Sequence, residues 1–124
     1  LTGTIPPDAW WLGAVIACFV AAILWVNSIP DIPADRSVGK MTLPTRLGAS
    51  AAALVLPIWF AAGFLILLVS PLPKVSWISL AGAIPALLAS RAAIAGALSA
   101  AMPLTILTHA VVCILLIAGL AWSG

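Results

Sequence analysis

Four apolar runs, residues 9–26, 47–69, 75–90 and 104–122, fill most of this chain and leave it few ways to fold. At about 1.5 Å rise per residue, most of these runs cross a ~30 Å hydrocarbon core when helical. In water they would need a polar coat, yet only 6% of the 124 residues are charged against 65% hydrophobic, and the mean hydropathy is +1.29. A bilayer accepts that surface without cost. The chain therefore reads as an all-α integral membrane protein with four transmembrane helices, a single transmembrane domain over residues 1–124. Its net charge of +2 is too small to point to a nucleic-acid partner.

The third run is the shortest. Either it continues past Ser90 with Arg91 reaching toward the headgroups, or it stops there and residues 92–102 lie along the interface. Pro57 and Pro85 should kink the second and third helices, Pro103 fits the first turn of the fourth, and Ser70-Pro-Leu-Pro-Lys74 is a tight connection. Alanine and glycine are dense in the spans, as close helix packing requires. Cys18 and Cys113 each lie inside an apolar run with no metal-type neighbour, and read as packing residues.

Arg36, Lys40, Arg46 and Arg91 fall on one side of a four-span zigzag and Lys74 on the other. The positive-inside rule then puts the charged loop in the cytoplasm of a cell whose plasma (inner) membrane holds the protein. Trp10, Trp11, Trp77 and Trp122 would gather at the outer interface, with Trp25 near the inner one.

Five of the eight charged side chains sit in one stretch, NSIPDIPADRSVGKMTLPTRLG, residues 27–48. Asn27, Asp31 and Asp35 are spaced i, i+4, i+8, which on one helix makes a stripe with neighbours ~5 to 6 Å apart. Two carboxylates that close repel unless a cation lies between them, and such oxygen-rich sites suit Mg²⁺ completed by substrate phosphates. Pro30 and Pro33 predict a broken helix here, its freed backbone lining a polar cavity. Arg36, Lys40 and Arg46 bring cations of the kind a diphosphate needs. The plainer reading is that Asp31 and Asp35 pair with Arg36 and Lys40 on a solvated loop.

The string N-x-x-x-D-x-x-x-D, followed by G-K-x-T-L and a closing R-L-G between two apolar spans, resembles the second aspartate-rich motif of the UbiA superfamily of intramembrane prenyltransferases. The resemblance implies a nine-helix bundle whose two such motifs hold Mg²⁺ and an isoprenyl diphosphate. On that basis Asp31 and Asp35 are the metal carboxylates and, with Lys40, the catalytic set. Asn27, Lys40, Arg46 and Arg36 are the candidate diphosphate-binding residues. No second motif of this kind occurs in the chain, so the resemblance makes it the C-terminal part of such an enzyme, inactive alone. The opening LTGTIPPDAW, which lacks the basic flank of a secretory signal, agrees with a piece of something longer.

The implied reaction is Mg²⁺-dependent transfer of an isoprenyl group from a prenyl diphosphate to an aromatic or other electron-rich acceptor within the membrane. The N-S-I-P-D and G-K-x-T-L wording is similar to enzymes that prenylate a hydroxylated naphthoate in quinone biosynthesis. The I-P-D-I core is similar also to homogentisate enzymes and to carotenoid-elongating members.

A small four-helix transporter would fit the span number, but none of the four runs carries the acidic residue such carriers place at membrane depth. A non-catalytic membrane subunit would explain the basic loop and leave the acidic stripe without a reason. The aspartate spacing of CDP-alcohol phosphotransferases is close, yet their preceding D-G and A-R elements are missing. His109, near Thr105 and Thr108 in the last run, is a functional hypothesis by its depth, and an interhelical hydrogen bond is the simpler reading.

Overall fold

Prolines and glycines set where each helix starts and stops. In the computed structural model, which describes residues 3–123, α1 runs Pro7–Ser28 with Pro7 at its first position and Asp8 in its first turn, where a negative charge meets the positive end of the helix dipole. Pro30 lacks the N–H that would continue the ladder, and α1 ends just before it. A short α2, Ile32–Ser37, follows, with Pro33 in its first turn, where the missing donor is harmless. Gly39, at φ +72°, turns the chain toward α3, Leu43–Leu47. Gly48, at φ +83° and ψ 161°, swings it into the second long helix, α4, Ala49–Val69.

The third span differs in kind from the others. Lys74–Gly82 is a 3₁₀ helix that passes into α5, Ala83–Ile94, and the two together make one membrane-length rod. The 3₁₀ half rises about 2.0 Å per residue, so the rod reaches about 36 Å. Of the two readings of this region, continuation past Ser90 is the one observed. The rod ends at Ile94, a turn with Gly96 at φ +78° reverses the chain, and α6 starts at Leu98. Pro103 is therefore not in the first turn of the fourth span but inside α6, Leu98–Ser123. Its missing donor would have bonded Ser99, an exposed residue whose carbonyl can find another partner at the end of the bundle.

The four long elements close into a ring in which α1 packs on α4 and α6, and α5 packs on the same two. The core is Val15, Phe19, Ala22 and Val26 of α1 against Leu56, Phe60 and Leu67 of α4, with alanines of α5 and with Ala101, Val112 and Leu116 of α6. Outward, Leu24, Ile58, Leu65, Ile84, Ile114 and Ile117 are all exposed, so every long helix presents hydrocarbon to its surroundings. No strand occurs among the described residues. This is an all-α membrane bundle with four helices long and apolar enough to span.

One end of the ring carries residues 29–48 and the Gly96 turn, since Ile29, Ala49, Ala93 and Leu98 line one small cavity there. Arg36, Lys40, Arg46 and Arg91 belong to that end. The other end carries Lys74 and the exposed Trp10, Trp11, Trp77 and Trp122. Trp25 lies at the loop end of α1, where the sequence puts it, but is not an exposed belt residue. Half-buried, it donates its indole N–H to the Ala52 carbonyl at 2.8 Å and ties α1 to α4 beneath the polar loop.

Candidate functional site

The site begins where α1 stops. Asn27 sits in the last turn of α1, and its Oδ1 is buried without a hydrogen-bond partner. A buried carbonyl oxygen left unpaired costs roughly 1–3 kcal/mol, so this one has a reason to be sought. Beyond it the interruption at residues 29–31 separates Asn27 from the acidic pair. The i, i+4, i+8 stripe is thus broken after its first member, as the prolines require.

Asp31 and Asp35 remain together. Asp31 holds the N-cap position of α2 with its side chain exposed, and its carbonyl accepts the Asp35 N–H at 2.8 Å. That bond puts the two carboxylates one helical turn apart. The Asp35 carbonyl in turn accepts the Lys40 N–H at 2.8 Å, and Lys40 Nζ reaches Asp35 Oδ1 at 3.0 Å. The lysine is mostly exposed at 62% while the aspartate side chain is only 14% exposed, so the pair lies at the boundary between loop and solvent. It is the one carboxylate ion pair among the described residues.

The other two cations point elsewhere. Arg36 donates from Nε at 3.1 Å and from Nη2 at 2.7 Å to the carbonyl of Thr45. Arg46 is exposed and makes a long bond, 3.4 Å, from Nε to the Met41 carbonyl. Thr45 is completely buried, and its hydroxyl lies 2.6 Å from that of Thr42, the N-cap of α3, whose Oγ1 also accepts the Thr45 N–H at 3.3 Å. Sequence reading missed this threonine pair. A Thr two residues ahead of Pro44 is a helix-start signal that marks α3, but nothing in the string tells that Arg36 reaches across nine residues to its backbone.

The donors that stay together are the hard oxygens of two carboxylates, Asp31 and Asp35. Such a set fits Mg²⁺. Among the described residues no three His, Cys, Asp or Glu side chains cluster into a cage. The acidic pair can therefore supply part of a coordination shell, the part left over being the share that water and substrate phosphate take in Mg²⁺ sites. Just inside the loop lies a cavity of about 100 Å³ lined by Ile29, Ser50, Ala53, Ala93, Gly96 and Leu98.

His109 stands apart from this site. Half-buried near the middle of α6, it lies with both ring nitrogens 3.7 Å from Cys113 Sγ, one turn along the same helix. The contact is within the helix rather than between helices. The Thr105 and Thr108 hydroxyls are engaged with their own i−4 carbonyls, each at 2.8 Å.

A model of the UbiA prenyltransferase family matches residues 1–89, which covers α1, the polar loop, α4 and the third span as far as Ala89. No curated protein and no solved structure matches the chain.

Proposed function

We propose, for a chain that belongs to the UbiA prenyltransferase family, that residues 27–46 form one half of a Mg²⁺-dependent diphosphate site facing the cytoplasm. Prenyl transfer is the family's general reaction, with a prenyl diphosphate and an aromatic acceptor as its partners. The finer reading is supported by one observation above all. Asp31 and Asp35 lie one helical turn apart at the mouth of an apolar bundle, with a lysine ammonium already on Asp35.

In this reading Asp31 and Asp35 hold the metal, with Asn27 Oδ1 as the polar partner at the end of α1. Mg²⁺ bound there supplies charge neutralisation for a departing pyrophosphate, an effect worth several kcal/mol. Lys40, an exposed and flexible ammonium, would donate to a diphosphate oxygen were Asp35 engaged by a metal. Arg46, free of any carboxylate, is the second diphosphate donor. The apolar body of the bundle receives the prenyl chain. A shallow groove of about 190 Å³ between α4 and α5, walled by Pro57, Phe60, Phe64, Ala86 and Leu87, offers it a surface without polar side chains except Ser90 at its end. The hydroxyl of Ser90 is turned onto the Ala86 carbonyl at 2.8 Å. Each CH₂ taken from water contributes about 0.8 kcal/mol.

The acceptor class we favour is a hydroxylated naphthoate or benzoate, as in quinone biosynthesis, and the membrane is the plasma (inner) membrane. A partial metal shell on these residues also fits a chain that needs further helices for turnover.

Asp31→Asn and Asp35→Asn in the intact enzyme should each cut Mg²⁺-dependent pyrophosphate release from an allylic diphosphate by about 10²-fold or more. Turnover at the wild-type rate in either variant would remove the metal assignment. It would leave the loop with a structural role, held by Lys40 on Asp35 and Arg36 on Thr45.

A further inference from the structure

We infer that Arg36 is a positioning residue: by gripping the Thr45 carbonyl it holds the acidic helix α2 at the mouth of the bundle, and it does not touch the diphosphate. The kinetic part of this inference rests on the prenyl-transfer reading above; the structural part does not.

A helix of six residues has little stability of its own, because nucleation is costly and few bonds follow to offset it. Something outside α2 must hold it, and its ties are few. Ile32 is buried, Lys40 closes on Asp35 from the loop side, and Arg36 reaches to Thr45. Of these the arginine makes the side-chain hydrogen bonds from α2 to α3, and Ile32 adds apolar packing in the core. Its acceptor is well anchored. Thr45 is fully buried, its hydroxyl is paired with Thr42, and α3 runs through Gly48 into α4, whose first ladder bond joins Ala52 N–H to the Gly48 carbonyl at 2.9 Å. The guanidinium also lies over Gly48, where a Cβ would stand 3.6 Å from Nη2. The linkage therefore runs from the residue next to Asp35 directly into a membrane-spanning helix.

The geometry separates this arginine from the other cations. Two of its N–H groups, on Nε and Nη2, are committed to one carbonyl oxygen, and no carboxylate accepts from it among the described residues. All three cations are exposed, but Lys40 has one carboxylate contact at 3.0 Å and Arg46 a single long bond at 3.4 Å, where Arg36 has two bonds to one carbonyl. A fork to a buried backbone carbonyl is a task for the rigid guanidinium, and lysine can replace at most one of the two bonds. Residues that orient a metal's ligands without touching the metal typically change its affinity by about 10- to 100-fold when removed.

The test uses the full-length enzyme in lipid nanodiscs, with Arg36→Met, which keeps much of the stem, and Arg36→Lys. For Arg36→Met the Mg²⁺ concentration at half-maximal rate should rise about tenfold or more with a fall in kcat. KM for the allylic diphosphate at saturating Mg²⁺ should stay within about twofold, since ground-state binding is untouched. A large rise in KM at an unchanged Mg²⁺ midpoint would make Arg36 a diphosphate contact and overturn the inference. Trypsin cleavage after Lys40 and Arg46, read by mass spectrometry, should be faster in Arg36→Met, and a wild-type rate would overturn it. Arg36→Lys, which folds with the charge retained, should fall between wild type and Arg36→Met on both readouts; identity with wild type would sink the two-bond requirement. If the wild-type enzyme itself shows no Mg²⁺-dependent turnover, the prenyl-transfer reading fails, and the cleavage rates still decide whether the grip exists.

Discussion

Two of the four seams that close the helix ring are built from different materials. Between α1 and α4 the contact is side chain on side chain. Phe19 packs edge-on against Phe64 with ring centroids 5.1 Å apart and lies 6.2 Å from Phe60, while Gly63 makes room for its ring. Between the third span and α6 small residues bring main chain close to main chain at Gly119, while Gly82 makes room for the Val112 side chain. Ser76, Ser79 and Gly82 recur every three residues, and the 3₁₀ winding stacks them along one edge. Opposite them Gly119 approaches so closely that a Cβ on it would stand 3.0 Å from Ser76 Cα. Lipid tails are as apolar as leucine, so membrane helices gain most from close van der Waals contact, and small residues provide it. The polar loop rises from the ends of α1 and α4, and the close approach of Gly119 to Ser76 lies at the opposite end of the bundle.

This contrast can be broken by adding one methyl group to each side. Gly119→Ala should cost about 2 to 3 kcal/mol, because the added carbon meets main-chain atoms at 3.0 to 3.2 Å that cannot turn away. Gly63→Ala should cost about 1 kcal/mol, since what it meets first is the far edge of the Phe19 ring at 2.8 Å, a side-chain end that can shift where main chain cannot. Thermal exposure of the buried Cys18 to a thiol-reactive dye measures both. Equal costs, or the reverse order, would mean that the seams do not differ.

A smaller effect sharpens the view of the loop above the first seam. Lys40→Met should change bundle stability by less than about 1 kcal/mol, as exposed ion pairs do, while lowering Mg²⁺-dependent turnover. A marked fall in melting temperature would show that the Lys40–Asp35 pair is part of the frame. The smallest change belongs to the second seam's helix. His109→Gln should alter stability by about 0.5 kcal/mol or less and turnover by less than about twofold, because its contact at 3.7 Å is to Cys113 on its own helix. Loss of activity with an intact bundle would make His109 functional.

Much of the candidate site was legible in the string of residues, and the reason is spacing. Asp31 and Asp35 are four apart, so any helical turn brings them together, and the local bond from Asp35 N–H to the Asp31 carbonyl does so. The break after Asn27 follows equally from Pro30 and Pro33, which lack donors wherever they stand. Arg36 is the opposite case. Its neighbour in the sequence is a carboxylate, yet its partner is a carbonyl nine residues on, exposed to it only because the loop folds back through Gly39. His109 likewise looked outward for a partner and met Cys113 one turn along.

Hydropathy is a sum over a segment and needs no knowledge of neighbours, so it was enough to establish the bilayer as solvent, the helical class, the number of spans and which end is basic. The winding of Lys74–Gly82, the inward turn of Trp25 and the grip of Arg36 on Thr45 are different in nature. Each depends on how near another segment comes, through a glycine that lacks a side chain or a backbone carbonyl within reach. Such distances exist only once the helices have packed.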